Sequence, residues 1–467
     1  MRDETLRSRG KYIYRGICCI LITALCAAGF FYVWFGFVAE NNTTGKLLGY
    51  GNLLMSLGIY TILLMIFMRV LQGYKIGVHR IMRTVAGQII ALLITDVAEI
   101  FVSMAVTGHF RMFLQFLWRY ALLFLAQSVA VFILSTIMIR IYIKVFPPLR
   151  IIEVFGGKRN GLYEKLGSRP DKYVVSKVVV CPEDVYELRD MITEYDAVVV
   201  NDVSSAQENR ILKMCFDLDK RVYFVPKISD IIVRGAEELN IFDTPLYLCR
   251  NQGISVTERF IKRLIDIVVS LVALIVLSPV MLITALAIKL EDRGPAFFKQ
   301  ERCTVQGKKF NILKFRSMIV DAEKDGRPHP AGEKDPRITK VGSFIRATRI
   351  DELPQLLNIL GGDMSLVGPR PERVEHVEKY TEEIREFTFR EKMKGGLTGY
   401  AQVYGKYNTT ALDKLKLDMT YIMNYSLLLD LQIILETIRI VFVKESTEGF
   451  TEEKIEEMQK SIKEDEG

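Results

Sequence analysis

Histidine is nearly missing from this chain, with four in 467 residues, so polar chemistry has to be sought in other side chains. The seven cysteines show neither metal-like nor paired spacing. Cys18, Cys19 and Cys26 lie in the first apolar run, while Cys181, Cys215, Cys249 and Cys303 are scattered, and all read as reduced structural thiols. No basic stripe with interleaved aromatic residues is present, which excludes nucleic acid as a partner. The net charge of +7 is accounted for by Lys and Arg flanking membrane segments. The first apolar run has no small-residue cleavage site, so it is not read as a removed signal peptide.

What the chain has in quantity is long apolar sequence. Its length allows about three structural units of about 150 residues, and the apolar residues concentrate in the first third and around residue 275. Residues 17–38, 47–68, 85–106 and 120–139 are each apolar for about the 20 residues a helix needs to cross a bilayer. Arg2, Arg7, Arg9, Lys11 and Arg15 precede the first stretch, Arg69, Lys75, Arg80 and Arg83 follow the second, and Arg140, Lys144 and Arg150 follow the fourth. Segments 40–46 and 107–111 are poor in Lys and Arg, so both ends of this bundle are expected in the cytoplasm. Asp96 and Glu99 fall inside the third span at helical neighbour spacing. Intramembrane carboxylates are functional candidates by default, but polar packing between helices, or pairing with Arg111 or Arg119, is the favoured reading.

After Pro147-Pro148 the pattern changes to short β-branched runs. Residues 151–155, 174–180, 197–200 and 222–225 read as buried parallel strands, with 183–195 and 204–218 as helices between them. That alternation predicts a small doubly wound sheet over 149–250. Its first turn, Phe155-Gly-Gly-Lys-Arg-Asn-Gly161, lacks the G-x-G-x-x-G spacing that lets a pyrophosphate approach the backbone. A structural or regulatory module is expected there.

The apolar run 264–290 is basic at both ends: Arg259, Lys262 and Arg263 before it, Lys289, Arg293, Lys299 and Arg302 after it. A simple crossing does not put both ends in the cytoplasm. Pro279 removes a backbone donor mid-membrane and Ser278 can bond the carbonyl so freed. A helix that enters, bends at Ser278-Pro279 and returns to the same face satisfies both facts. A plain fifth span with the remainder outside is the alternative.

Downstream, an ordered series of motifs appears: Lys262-Arg-Leu-Ile-Asp266, Ser278-Pro279, Lys314-Phe-Arg-Ser-Met318, Asp335-Pro-Arg-Ile-Thr339, Asp351-Glu-Leu-Pro-Gln355, Gly362-Asp-Met-Ser365, Gly368-Pro-Arg-Pro371, Leu397-Thr-Gly399 and Leu429-Asp-Leu431. Over about 258–445 the chain resembles the bacterial sugar transferase family, the polyprenol-phosphate hexose-1-phosphate transferases. The preceding bundle and α/β module resemble its long-form members, which initiate exopolysaccharide, capsule or O-antigen synthesis. The expected architecture is therefore membrane α plus α/β. It has a four-span bundle over 1–148, a doubly wound module over 149–250, a re-entrant helix with an α/β-associated catalytic domain over 258–445, and a charged tail over 446–467.

The resemblance implies transfer of a hexose 1-phosphate from a UDP-sugar to undecaprenyl phosphate in the bacterial cytoplasmic membrane. UMP is released, Mg2+ is the cofactor, and an enzyme-bound intermediate forms. UDP-glucose or UDP-galactose is the implied donor, and long relatives imply a homodimer. Asp351 matches the family nucleophile; an aspartate, with a reference pKa of about 3.9, is already ionised near neutral pH and needs no general base. Glu352 is the expected Mg2+ ligand. Arg370, held between two prolines, and Lys314 and Arg316, alternating on an expected strand over 310–315, are the implied phosphate contacts. Asp430 is a further expected substrate-site carboxylate and Asp418 another recurrent acid of the family, and either could orient a basic residue or the ion, or cap a helix. The chain departs from the family where Gly396 replaces a frequent proline and Lys406 an arginine, which keeps charge but loses the bidentate fork. Segment 321–332 reads either as a loop over the site or as a disordered linker. Residues 412–424 and 427–443 suit helices on the membrane interface, with ordinary core helices as the alternative. An inactive scaffold and a nucleotide-sensing regulator are the readings from other functional classes; intact Asp351, Glu352 and Arg370 oppose the first, the missing glycine spacing the second.

Overall fold

The computed structural model describes residues 2–40, 50–107, 113–157, 162–249, 254–320, 322, 335–405 and 409–442. Two compact units divide the chain, one reaching Val225 and the other beginning at Pro226. The first starts with four helices, α1 (Arg2–Glu40), α2 (Tyr50–Val70), α3 (Ile81–Thr107) and α4 (Phe113–Val145). Arg9–Gly36, Ile81–Ala105 and Phe113–Val145 are long and apolar enough to cross a membrane, and α2 carries a shorter apolar stretch, Leu54–Val70. Helices suit that medium because each satisfies its own backbone.

Their inner faces are polar and aromatic. Phe30 stacks on Tyr60 with centroids 4.2 Å apart. Trp34 Nε1 donates to Ser103 Oγ (3.0 Å), which meets the Tyr120 hydroxyl at 2.7 Å, and Gln127 Nε2 donates to the Cys26 carbonyl at 2.9 Å. These bonds join side chains of all four helices with the Tyr60–Gln127 contact of 3.2 Å. Asp96 and Glu99 are also buried, and none of their carboxylate oxygens has a hydrogen-bond partner among the described residues. The pairing considered with Arg119 is therefore not made as a hydrogen bond, and Arg111 lies outside the described residues. The seven cysteines are all free thiols, as expected.

The same unit continues as β1 (Leu149–Phe155), α5 (Leu162–Gly167), β2 (Tyr173–Val180), α6 (Arg189–Thr193), β3 (Ala197–Asn201), α7 (Ser205–Asp217) and β4 (Arg221–Phe224). The strands are parallel in the order β2-β1-β3-β4. Because side chains alternate along a strand, β1 and β3 send Ile152, Val154, Val198 and Val200 to one face against Ile192, Ile211 and Met214. Leu149, Ile151, Ala197 and Val199 face the other side, where Leu162 and Leu166 of α5 cover them. The expected helix over 183–195 is shorter, because a 3₁₀ turn capped by Asp184 precedes α6.

The parallel sheet stops at β4. Residues expected to extend the module to 250 instead form α8 (Ile228–Arg234) and an antiparallel hairpin, β5 (Glu237–Ile241) and β6 (Thr244–Leu248), in the second unit. An antiparallel pair turned through Phe242, at φ 57°, forms its own two-stranded sheet, and Ile231 of α8 is buried in the second unit's core.

That unit goes on through α9 (Val256–Asp292), the antiparallel pair β7 (Phe297–Cys303) and β8 (Lys309–Phe315), α10 (Lys340–Ala347), α11 (Gln355–Gly361), β9 (Ser365–Val367) and α12 (Val374–Glu383). β10 (Gly396–Thr398), parallel to β9, is followed by α13 (Tyr400–Tyr404), α14 (Ala411–Met423) and α15 (Leu427–Phe442). Leu415, Met419 and Tyr421 of α14 and Ile433 of α15 belong to the core built around Phe310, Ile359 and Phe387. These two elements therefore act as core helices, the second of the two readings.

A capping box starts α9: the Glu258 amide donates to Ser255 Oγ and the Ser255 amide to Glu258. The helix continues through Pro279. The carbonyl that Pro279 cannot serve is that of Ile275, four residues back, and Ser278 Oγ donates to it at 2.8 Å. Ser278→Ala is expected to cost about 0.5–1 kcal/mol. In a Pro279→Ala background, where residue 279 regains its N–H, the cost should vanish. A double-mutant cycle on thermal melting checks this, and strictly additive effects contradict it.

One face of α9 stays on the second unit along its whole length. Lys262, Asp266 and Ser270 are buried near its start, Ala273 and Leu274 pack on the main core, and Met281, Ala285 and Ile288 pack with Phe315 and Ile345 near its end. The opposite face exposes Val268, Leu271, Val272, Val276, Leu282, Ile283, Leu286 and Leu290. That apolar face is covered by nothing among the described residues.

Candidate functional site

The chain leaves α10 through Arg349, whose φ of 59° lies in the left-handed region that few side chains adopt. The reversal sets up a 3₁₀ turn, Ile350–Glu352, immediately ahead of Pro354 and α11. Strain of this kind persists only where the surroundings enforce it, and here α11 is fixed by Asn358. Its side chain accepts from the Leu313 amide (2.9 Å) and donates to the Asn311 carbonyl (2.8 Å), stitching the helix to β8. That register brings Lys314, next on β8, to Glu352: Nζ to Oε1 is 2.9 Å.

Arg370 arrives from the other side. β9 runs into Gly368-Pro369-Arg370-Pro371, and the loop is pinned to β10 by Gly368 N to Thr398 O and Gly396 N to Pro369 O, both 2.9 Å. A β-carbon on Gly368 would stand 2.2 Å from the Lys394 carbonyl, so only glycine fits. A proline at 396 would lack the N–H that Pro369 accepts, so the departure Gly396 adds a hold on this loop. Arg370 Nη2 donates to Glu352 Oε1 at 2.6 Å, Nη1 reaches Gln402 Oε1 at 3.4 Å, and the Arg370 carbonyl accepts from Arg390 Nη2 at 2.8 Å.

Both cations thus converge on one oxygen of Glu352. Burial by itself would raise this carboxyl's pKa, but Arg370 and Lys314 overcome it and hold Glu352 well below the usual range. Burial lowers the pKa of Lys314 against the pull of Glu352, while Glu352 raises that of Arg370. Asp351 differs. It is half-buried, and among the described residues nothing hydrogen-bonds its carboxylate. Burial raises its pKa, with Lys314 acting in the opposite direction. The arrangement is an uncommitted carboxylate beside two clamped cations, suited to attack on a phosphoryl centre whose charge those cations offset.

A reaction that needs ionised Asp351 should therefore lose rate on acidification at a higher pH than an ordinary aspartate would impose. The raised pKa means protonation, and loss of the carboxylate anion, begins earlier as pH falls. Single-turnover rates across pH 4–8 measure the limb; a limb at or below the reference of about 3.9 contradicts the account.

Arg316 and Asp430, both expected at the substrate, are not brought to this cluster. β8 ends at Phe315, so Arg316 does not share the face of Lys314. Its guanidinium pairs with Asp292 at the end of α9 and Nε donates to the Pro295 carbonyl at 2.6 Å, holding the Asp292 pKa at about 2. Asp430 accepts from Lys262 Nζ (2.5 Å) and the Tyr421 hydroxyl (2.7 Å), which uses both its oxygens at the start of α9. The two residues fasten opposite ends of the apolar helix. Asp418 orients a basic residue, as one reading had it: buried, it pairs with Arg390 at 2.7 Å, and Arg390 in turn holds the Arg370 backbone. Glu372, with its partners Arg390 and Lys414, completes that support. Arg390 gave no sequence signal, because the charged run Arg385–Lys392 reads as solvated surface, whereas Glu372 directly follows the motif ending at Pro371.

For Mg2+, no group of three or more His, Cys, Asp or Glu side chains that could hold a metal occurs among the described residues. Mg2+ commonly takes one or two carboxylates and completes its octahedron with water and substrate phosphates. Adjacent Asp351 and Glu352 fit an ion of that kind that arrives with a diphosphate. Lys406 and segment 323–332 lie outside the described residues, as do 446–467.

Comparison with known proteins gives the following. Residues 257–444 match the family model described as bacterial sugar transferase. A UDP-glucose:undecaprenyl-phosphate glucose-1-phosphate transferase of Klebsiella pneumoniae is 40% identical over 238 residues, 48% of this chain and 49% of that protein. A UDP-N-acetylgalactosamine-undecaprenyl-phosphate N-acetylgalactosaminephosphotransferase of Aeromonas hydrophila is 39% identical over 253 residues, 53% of this chain and 59% of that protein. An uncharacterized sugar transferase of Bacillus subtilis is 40% identical over 185 residues, 40% of this chain and 89% of that protein. The chain spans about half the length of the first of these relatives.

Proposed function

Since the chain belongs to the bacterial sugar transferase family, we propose that it transfers a hexose 1-phosphate from a UDP-sugar to undecaprenyl phosphate through a phosphosugar ester on Asp351. The observation that carries this reading is the division of labour between neighbouring acids: Glu352 is bound to Lys314 and Arg370, and Asp351 is left unbonded beside them.

In the first step an Asp351 oxygen attacks the phosphorus bearing the sugar. The bond from that phosphorus to the bridging oxygen breaks, and UMP leaves with the electron pair. In the second, a phosphate oxygen of undecaprenyl phosphate attacks the same phosphorus and returns Asp351 as a carboxylate. Neither step needs a proton acceptor, which agrees with the scarcity of histidine. Lys314 and Arg370 offset charge on the phosphoryl oxygens, and their shared anchor on Glu352 sets their positions before substrate binds. Mg2+, held by Glu352 together with the diphosphate, would supply Lewis-acid stabilisation of the departing phosphate.

The setting favours a membrane-surface reaction. The packed stripe along α9 never leaves the domain that carries Asp351, while its other face is apolar and exposed. That supports a helix that enters and leaves on the cytoplasmic face of the inner membrane and brings the site to the lipid phosphate. The reaction would open extracellular polysaccharide synthesis, with the enzyme as a homodimer. A screen of UDP-glucose, UDP-galactose and UDP-N-acetylgalactosamine with undecaprenyl phosphate and Mg2+ tests the reading. Release of UMP with formation of a lipid-linked sugar from one donor is expected; no UMP from any of them contradicts it.

A further inference from the structure

A second basic cleft lies in the first unit, where the helical bundle meets the α/β module. It is an open cleft of about 860 Å³, solvent included, between the start of α1, the end of α4 and the β2 and β4 strands. Lys11, Arg15, Lys172 and Arg221 line it, with Tyr142 and Tyr173 among its aromatic walls. The one lining acid, Asp171, is already neutralised, since Arg169 donates to both its oxygens at 2.8 and 2.7 Å. Of these cations, Arg15, Lys172 and Arg221 make no ion pair with an acid among the described residues.

Two of these cations are set in place. Arg15 Nε donates to the Ile76 carbonyl (3.1 Å) and Nη2 to the Tyr142 hydroxyl (3.0 Å), and Lys11 lies over the Phe146 ring at 5.9 Å. Neither Lys172 nor Arg221 has an ion pair or side-chain hydrogen bond among the described residues. Burial lowers the Lys172 pKa to about 8; Arg169, Arg15 and Lys11 reinforce the shift and Asp171 opposes it. Arg15, Lys172 and Arg221, three like charges gathered in one cleft, are unfavourable together until an anion enters.

The geometry points to a phosphate-binding site here, distinct from the Asp351 centre and formed jointly by the bundle and the α/β module. The cleft sits at the bundle end that carries the Lys- and Arg-rich segments, the kind of segment that attracts anionic headgroups. The same chemistry is also presented by a soluble nucleotide, whose base the tyrosines could stack. Nothing in the Asp351 reaction requires this second site, so the two proposals stand or fall separately.

Trace acetylation of Lys172, read by mass spectrometry on the full chain in neutral phosphatidylcholine nanodiscs, tests it, because the readout is local to the cleft. Lys172 should acetylate several-fold faster than exposed Lys177. Phosphatidylglycerol in the disc, or UMP added to neutral discs, should slow Lys172 at least about fivefold while leaving Lys177 unchanged. Protection by the first identifies a lipid source, by the second a soluble one. Arg221→Ala should reduce that protection severalfold. Failure of both additives to protect Lys172, equal protection of Lys177, or protection undiminished in Arg221→Ala overturns the proposal.

Discussion

Asp351→Asn is expected to abolish the covalent adduct and to lower turnover by at least about 10³-fold, with KM for the UDP-sugar unchanged or lower. Asparagine keeps the shape of the side chain and removes the anion that attacks. The cations proposed to receive the phosphates, Lys314 and Arg370, are anchored on Glu352 and not on Asp351, so their placement survives. Removing a negative charge beside them favours, if anything, binding of a diphosphate. The Asp351 carboxylate makes no hydrogen bond among the described residues, so thermal stability should hardly change. Steady-state kinetics with a melting curve separate this pattern from simple unfolding. An asparagine variant that turns over within tenfold of the original would show that another group attacks.

Glu352→Gln is expected to damage stability and rate together. Its carboxylate is the common counter-charge of two buried cations, at 2.9 Å from Lys314 and 2.6 Å from Arg370. Removing one partner of a buried pair typically costs about 3–5 kcal/mol, because the remaining charges stay desolvated. Lys314 and Arg370 would then repel one another across a neutral amide and lose the positions that the phosphates need. Apparent melting should fall by several degrees and turnover by roughly 10²-fold or more. A magnesium titration distinguishes this clamp from a role confined to the metal. If Glu352 served chiefly as a Mg2+ ligand, excess Mg2+ would restore much of the rate in a protein of normal stability.

These two outcomes bear on two acids that are neighbours in sequence but differently bonded, Glu352 to two cations and Asp351 to no side chain among the described residues. The Asp351-Glu352 pair, Lys314 and Arg370 were legible from ordered motifs, and the doubly wound sheet from its β-branched runs, because both kinds of signal are local. Arg316 and Asp430 were legible as charged motif residues but not in their roles. Their partners Asp292 and Lys262 lie 24 and 168 residues away in sequence, at the two ends of one apolar helix, and no local pattern reports such pairing. The limit of the α/β module was misplaced for a similar reason. Strand propensity in 237–248 is real, but the hairpin is antiparallel and the adjoining α8 buries Ile231 in the other unit's core. Arg390 was invisible in a charged run until packing placed it behind Arg370, bonded to buried Asp418.

The most direct test mixes the purified full chain with Mg2+ and a UDP-sugar labelled in the sugar, without any lipid acceptor. The account predicts a burst of UMP of about one equivalent per active site, with the label recovered on the peptide containing Asp351 and discharged when undecaprenyl phosphate is added. UMP release that waits for the lipid acceptor, with no labelled peptide at any time, would contradict it.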